Sequence, residues 1–282
     1  MASKHLGALA ALAAGTLALS ACGAGSSGSG GGAATGDGGG GNTVKVGIKF
    51  DQPGMGLKSG DQYTGFDVAV ATYVAKELGK TPQFSEAPTP QRETLIKTGQ
   101  VDYIVGTYSI NDKRKQEISF AGPYFVADQD LLIRSDDASI TGPDKLTGKK
   151  LCSVKGSTPA QKIKEKYPQV QLQEYDTYSK CVEELVNGTV DALTTDNTIL
   201  AGYASQPQYK GQLKLVEKPV SDGRENYGVG LKKGDTAMCQ KITDALTKMI
   251  SSGEWQKAVD ANLGPAGFTP GEGNPPKPAA CS

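Results

Sequence analysis

The chain has 282 residues, with 30 Lys and Arg balanced by 30 Asp and Glu, one His and five Cys. Zero formal charge lacks the basic footprint that nucleic-acid binding needs, and the length suits two lobes of ordinary size better than one small core. The only histidine, His5, falls in a segment expected to be removed, which excludes Ser-His-Asp and Cys-His catalysis and any His-ligated metal site in the mature chain.

Residues 1–22 read as a targeting segment. Lys4 and His5 precede an apolar run over 6–19, which at ~1.5 Å per residue covers only ~21 Å, short of a ~30 Å hydrocarbon core. The run closes as Leu19-Ser20-Ala21-Cys22, which resembles a bacterial lipobox and predicts cleavage and lipidation at Cys22. A Gly/Ser-rich flexible tether follows over 23–42: of residues 23–41, 11 are Gly and three are Ser. A diacylated cysteine would hold the protein at the extracytoplasmic face of the cell membrane.

With Cys22 assigned to lipid, Cys152, Cys181, Cys239 and Cys281 remain, an even number that favours disulfides after export. Three pairings are open. Cys152–Cys181 with Cys239–Cys281 is preferred, because each bridge then closes within one lobe or ties the Pro/Gly-rich tail (266–282) to a nearby helix. No CxxC spacing occurs, so no metal site is expected, and no cofactor is implied.

Strands and helices alternate along the ordered part. A β-rich strand at 44–49 leads into a helix over 66–78, with Phe66, Val70, Val74 and Leu78 on one face. Then come a strand at 83–86, a helix at 91–98 and a strand at 101–105. The second half reads strand 150–154, helix 159–166, strand 170–173, helix 178–186, strand 190–194 and helix 197–203. A strand at 227–231 and helices over 236–250 and 254–262 complete the pattern, that of parallel-sheet α/β units.

An internal echo runs through this pattern. Leu95-Ile96-Lys97-Thr98-Gly99-Gln100-Val101-Asp102 matches Glu184-Leu185-Val186-Asn187-Gly188-Thr189-Val190-Asp191 at a constant offset of 89 residues. Each reads as a helix end, a glycine C-cap and the start of a buried strand. The offset maps Thr107 onto Asp196, beyond equivalent strands, where open α/β sheets bind ligands. Asp102 and Asp191 read as acceptors for backbone N–H groups.

Several motifs carry a family resemblance over residues 44–263. They are Val46-Gly47-Ile48-Lys49, Gly65-Phe66-Asp67-Val68, Gly106-Thr107-Tyr108-Ser109-Ile110-Asn111-Asp112-Lys113-Arg114, Pro123-Tyr124, Lys155-Gly156-Ser157-Thr158 and Val190-Asp191-Ala192-Leu193-Thr194-Thr195-Asp196. In this order they resemble the polar amino-acid-binding proteins of ABC importers, bacterial solute-binding protein family 3. Lys49-Phe50-Asp51-Gln52-Pro53-Gly54 and Gln91-Arg92-Glu93-Thr94 are similar to its glutamate-binding lipoproteins.

The resemblance implies a type II periplasmic-binding-protein fold: two α/β lobes joined by two hinge strands with a ligand cleft between. Lobe 1 would take 43–123 and 229–265, lobe 2 129–223, with hinges at 124–128 and 224–228. It implies that Arg114 clamps a ligand α-carboxylate, the planar guanidinium giving two charge-assisted bonds. Thr107 and Ser109 would add donors to the same group, and Ser157 and Thr158, opening a helix, would favour an anion. Asp196 would take the α-ammonium, while Lys49 and Arg92 occupy the positions of side-chain cations in acidic-amino-acid binders.

Two readings stay open for Gln52 and Tyr108, ligand contact or, for Tyr108, a cap on the lobe core. Trp255 with Val259 reads as core, and Lys162, Lys164, Glu165 and Lys166 as a solvated helix face. The function expected is that of a lipid-anchored monomer, not an enzyme, that binds L-glutamate and delivers it to ABC permease subunits with their cytoplasmic ATPase. Aspartate or glutamine binding, a non-transport sensor and a dehydratase on the same fold are the alternatives.

Overall fold

The computed structural model describes residues 41–221 and 223–282. The expected signal segment 1–22, Cys22 and the tether up to residue 40 lie outside the described residues. The ordered chain has begun by Asn42, whose carbonyl accepts from Thr81 N–H at 2.7 Å.

In chain order the elements are β1 (Thr43–Ile48), β2 (Asp51–Gln52), β3 (Gly56–Ser59), β4 (Gln62–Thr64), α1 (Phe66–Glu77), β5 (Thr81–Glu86), α2 (Arg92–Lys97), β6 (Tyr103–Ile104), α3 (Asp112–Glu117) and β7 (Ser119–Ala127). They continue as β8 (Gln129–Arg134), β9 (Lys150–Val154), α4 (Thr158–Lys166), β10 (Gln171–Tyr175), α5 (Tyr178–Val186), β11 (Ala192–Asp196), α6 (Asn197–Ser205) and β12 (Leu213–Leu215). Last come β13 (Glu225–Leu231), α7 (Thr236–Ser251) and α8 (Glu254–Asn262).

Two five-stranded sheets repeat one plan. The first runs β5-β1-β6-β13-β7 and the second β10-β9-β11-β8-β12. In each, three parallel strands are followed by two antiparallel to them or to each other. Asp128 alone separates β7 of the first sheet from β8 of the second, and the chain returns between β12 and β13. Glu225, Asn226 and Tyr227 pair with Ala127, Val126 and Phe125, so the two passages between sheets lie side by side. The β2–β4 meander is a small sheet of its own.

Local chemistry accounts for the elements. On α1, Phe66, Val70 and Val74 are fully buried against β1, each contributing about 1.5–3 kcal/mol of transfer free energy; Leu78 is the half-buried C-cap. Side-chain caps open α3, α4, α5 and α7: Asn111, Ser157, Thr177 and Asp235 accept from Arg114, Ala160, Lys180 and Met238 N–H. The echo is structural as well. Gly99 (φ 69°) and Gly188 (φ 75°) end their helices in the left-handed conformation. Asp102 Oδ2 accepts from Lys45 N–H at 2.7 Å and Asp191 Oδ2 from Lys150 N–H at 2.9 Å, each tying its strand to the neighbouring one.

The disulfides pair Cys152 with Cys181 and Cys239 with Cys281, as preferred from the sequence. The tail is tied down: Ser282 exchanges two backbone hydrogen bonds with Phe120, and Ala279 N–H donates to Gly122 O. Asn274 bonds both the N–H and the carbonyl of Val126. Trp255 is core, with Nε1 donating to Tyr124 O at 2.8 Å and its ring against Phe66 and Phe125. Lys162 departs from the expected solvated face. It forms a 2.5 Å ion pair with Glu225, which is only 2% exposed, and its Nζ also donates to Gly223 O at 2.9 Å.

Candidate functional site

The cavity lies where the C-terminal ends of the parallel strands of both sheets face one another. Its free volume in this arrangement is about 10 Å³, room for one water, so a solute enters only as the surrounding side chains part. Arg92, Thr107, Ser109 and Arg114 line it from the first sheet's side, Ser157, Thr158 and Asp196 from the second's. Thus seven of the eight residues singled out in the sequence share one cavity. Lys49 stands behind its wall, its Nζ donating to Thr89 Oγ1 at 3.3 Å, and it is Thr89 that lines the cavity.

Each side chain is fixed by its element. Thr107 follows β6 with φ at 43°, the left-handed region that non-glycine residues seldom enter. Asp67, in the first turn of α1, holds it there: Asp67 Oδ2 accepts from Thr107 N–H at 2.8 Å and Oδ1 from the Tyr124 hydroxyl at 2.7 Å. Thr107 Oγ1 in turn donates to Gln52 Oε1 at 3.2 Å. Gln52 is buried outside the cavity lining, with its Nε2 unpartnered.

Arg114 spans the cavity. Its Nη1 donates to Ser109 O at 2.7 Å and to Thr158 Oγ1 at 3.2 Å, its Nη2 to Gly156 O at 3.3 Å, and Glu93 sits 3.5 Å from its Nε. Arg92 Nη1 donates to Gly106 O at 3.0 Å. Tyr108 settles between its two readings as a core residue: it is fully buried, and its ring lies 4.0 Å from the Arg92 guanidinium and 5.0 Å from that of Arg114. The aromatic face offsets part of the repulsion between two neighbouring cations.

On the far wall, Ser157 is occupied as the helix cap. Its Oγ accepts from Ala160 N–H, and its own N–H donates to Val154 O at 3.1 Å, so it does not present the free N–H expected of it. Asp196 ends β11 instead of lying beyond it, and Oδ2 accepts from the Tyr227 hydroxyl at 2.6 Å while Oδ1 is buried without a partner.

Burial dominates the electrostatics. It raises Asp196 well above the usual carboxylate range, with Glu225 adding to the rise. Asp67 is raised to about 7 by burial, against the hydrogen bonds from Tyr124 and Thr107. Lys49 falls to about 8 and Arg114 to about 10, in both cases through burial first, with the Arg92 charge contributing. The site thus gathers three basic side chains around one carboxyl group that burial favours in its protonated form, with its Oδ1 left without a partner.

Thr89, Pro159, Tyr178 and Ile199 also line the cavity and escaped the sequence reading. Thr89 sits in a short turn between prolines and Tyr178 opens α5, positions with no residue-type signal of a site.

The sequence profile of the bacterial extracellular solute-binding proteins, family 3, matches residues 44–265. The chain is 48% identical over 247 residues to the glutamate-binding protein GluB of Corynebacterium glutamicum, covering 83% of this chain and 82% of that one. It is 36% identical over 216 residues to the ABC transporter glutamine-binding protein GlnH of Bacillus subtilis, covering 75% and 77%. Among solved structures, an ancestral arginine-binding protein bound to glutamine superposes with a TM-score of 0.74 at 30% identity, over 79% of this chain and 98% of that chain.

Proposed function

Because the chain belongs to the bacterial extracellular solute-binding proteins of family 3, we propose that it is the substrate-binding component of an ABC importer for an acidic amino acid, L-glutamate. The observation that carries this reading is the charge pattern of the cavity: Arg92 and Arg114 line it, Lys49 backs it, and Asp196 faces them with a buried, unpartnered oxygen.

In this reading Arg114 holds the α-carboxylate with Thr107 and Ser109, and Asp196 takes the α-ammonium. Arg92, with Lys49 behind, meets the side-chain carboxylate. Thr158 donates from the second lobe, and Ser157 shapes that wall by capping α4. The similarity to a glutamate-binding protein supports the third cation's purpose, since a neutral amide side chain would leave it unpaired. Ligand contacts divided between lobes stabilise the closed arrangement over the open one, with bending at 124–128 and 224–228.

The remaining parts of the reading concern the cell. Residues 1–22 direct export, Cys22 carries lipid, 23–42 tether the domain, and the protein works as a monomer handing its ligand to permease subunits. Mass spectrometry of the mature N-terminus tests the anchor: an unlipidated product, or normal maturation of Cys22→Ala, rejects it. Titration calorimetry over the twenty amino acids tests the ligand. L-Glutamate is expected to bind tightest, and tighter binding of a neutral or basic amino acid rejects the assignment.

A further inference from the structure

The lobes also meet beside the cavity, through residues other than those assigned to the ligand. Asp51 of β2, in the first lobe, lies at the N-terminus of α5 in the second. Its Oδ2 accepts from Tyr178 N–H at 2.9 Å and Ser179 N–H at 3.3 Å, two groups that a helix leaves unpaired within itself. The Tyr203 hydroxyl of α6 donates to the Asp51 carbonyl. One residue along, Gly202 of α6 is pressed against Pro53. A Cβ at Gly202 would overlap the Pro53 carbonyl oxygen and lie 2.9 Å from its carbon.

The three atoms nearest to that Cβ all belong to Pro53. The second lobe itself therefore has room for an alanine, and a helix interior favours one over glycine. What requires glycine is the approach of the other lobe. We propose that Asp51, Pro53 and Gly202 form a closing seam: a set of lobe-to-lobe contacts beside the cavity, none of them made to the ligand, that exists only when the lobes are shut and sets how tightly ligand is held. The seam rests on the binding reading above, because its effect is felt as affinity.

The two kinds of contact weaken closure by different routes when altered. Asp51→Ala removes the acceptor of two helix N–H groups and loosens the closed form. Gly202→Ala leaves the second lobe intact but inserts a methyl where Pro53 must dock, which holds the lobes apart. A seam of this kind separates affinity from stability, since a substitution that favours the helix weakens binding.

The test uses the mature domain, titrated calorimetrically with L-glutamate, with small-angle scattering and thermal unfolding on the same samples. Gly202→Ala is expected to lose tenfold or more in affinity, to keep a ligand-free melting temperature no lower than wild type, and to contract less on adding glutamate. Asp51→Ala, which also removes the carboxylate 3.9 Å from Lys49, is expected to lose severalfold. Tyr203→Phe, which removes only the hydroxyl bond to Asp51, carries the test by itself with a severalfold loss should Gly202→Ala fail to fold. Wild-type heat together with affinity within twofold in Gly202→Ala and Tyr203→Phe overturns the seam and leaves the binding reading standing. A wild type that binds none of the twenty amino acids overturns that reading and the seam's role with it.

Discussion

Asp196 of the second sheet and Tyr227 of the first are joined by a 2.6 Å hydrogen bond, the tyrosine hydroxyl also lying 3.2 Å from Thr198 Oγ1. A cavity carboxylate is thus tied directly to one of the two strands that pass between the sheets. The same arrangement recurs on the other strand, where the Tyr124 hydroxyl binds Asp67 and Asp67 holds Thr107. Tyr227→Phe is expected to weaken amino-acid binding about three- to tenfold, the worth of one ordinary hydrogen bond lost beside Asp196. Asp196→Asn is expected to cost more, about 2–5 kcal/mol, through the unpaired ammonium. Calorimetry on both variants checks the order; equal losses would contradict it.

The two cavity guanidiniums should differ in what they discriminate. Arg114→Ala is expected to abolish binding of glutamate and glutamine alike, because both carry the α-carboxylate. Arg92→Ala is expected to lower glutamate affinity by tenfold or more while moving glutamine affinity much less. Glutamate affinity within twofold of wild type in Arg92→Ala would reject its proposed role.

Binding should depend on pH with two limbs. Asp196 is raised by burial, so at lower pH it must release a proton before it can accept an ammonium. Affinity is expected to fall by up to about tenfold per pH unit as pH drops from 8 toward 6. On the alkaline side, Lys49 is lowered to about 8 by burial, and loss of its proton removes attraction for an anionic side chain. Lys49→Met should flatten the alkaline limb and leave the acid one, as read by titrations across pH.

Asp67 makes a separate prediction about stability. Its folded pKa is raised to about 7, above the ordinary value of ~3.9. Between those values the folded chain retains a proton that the unfolded chain has released, so the stabilisation is complete at low pH and fades as pH rises through 7. Asp67→Asn keeps an acceptor for Thr107 N–H but cannot ionise. Its stability relative to wild type should improve by up to about 1.4 kcal/mol per pH unit across this window, measured by urea unfolding. Parallel profiles would contradict the burial effect.

The Cys239–Cys281 bridge closes a long loop, with a sequence separation of 42 residues. Replacing both cysteines by serine is expected to lower stability by about 4 kcal/mol in the chain-entropy model, and to free the tail to proteolysis. Limited digestion followed by mass spectrometry checks the second effect.

Much of this was legible in the residues. Helices with a clean apolar face or a cap, such as 178–186 and 254–262, were bounded as found, because periodicity and end signals agree there. The echo sets Thr107 and Asp196 at equivalent strand ends, and both line the one cavity. What failed was local and polar. Asp112–Glu117 has no apolar period, and only the Asn111 cap marks it. The long strand β7 was hidden by Gly122-Pro123, a pair that usually ends strands. The two-residue β2 is too short to alternate. In the site, residue types told which groups could hold charge, but not that Lys49 would stand behind Thr89 or that Ser157 would turn its N–H away. Those depend on packing between distant segments.

The stapled tail has one more consequence. β7 is the outermost strand of its sheet, and such a margin offers unpaired peptide groups to any passing chain. By exchanging bonds with Phe120 and Gly122, the final residues occupy that margin. That border of the first sheet is thereby closed to strand-to-strand adhesion between copies of the chain.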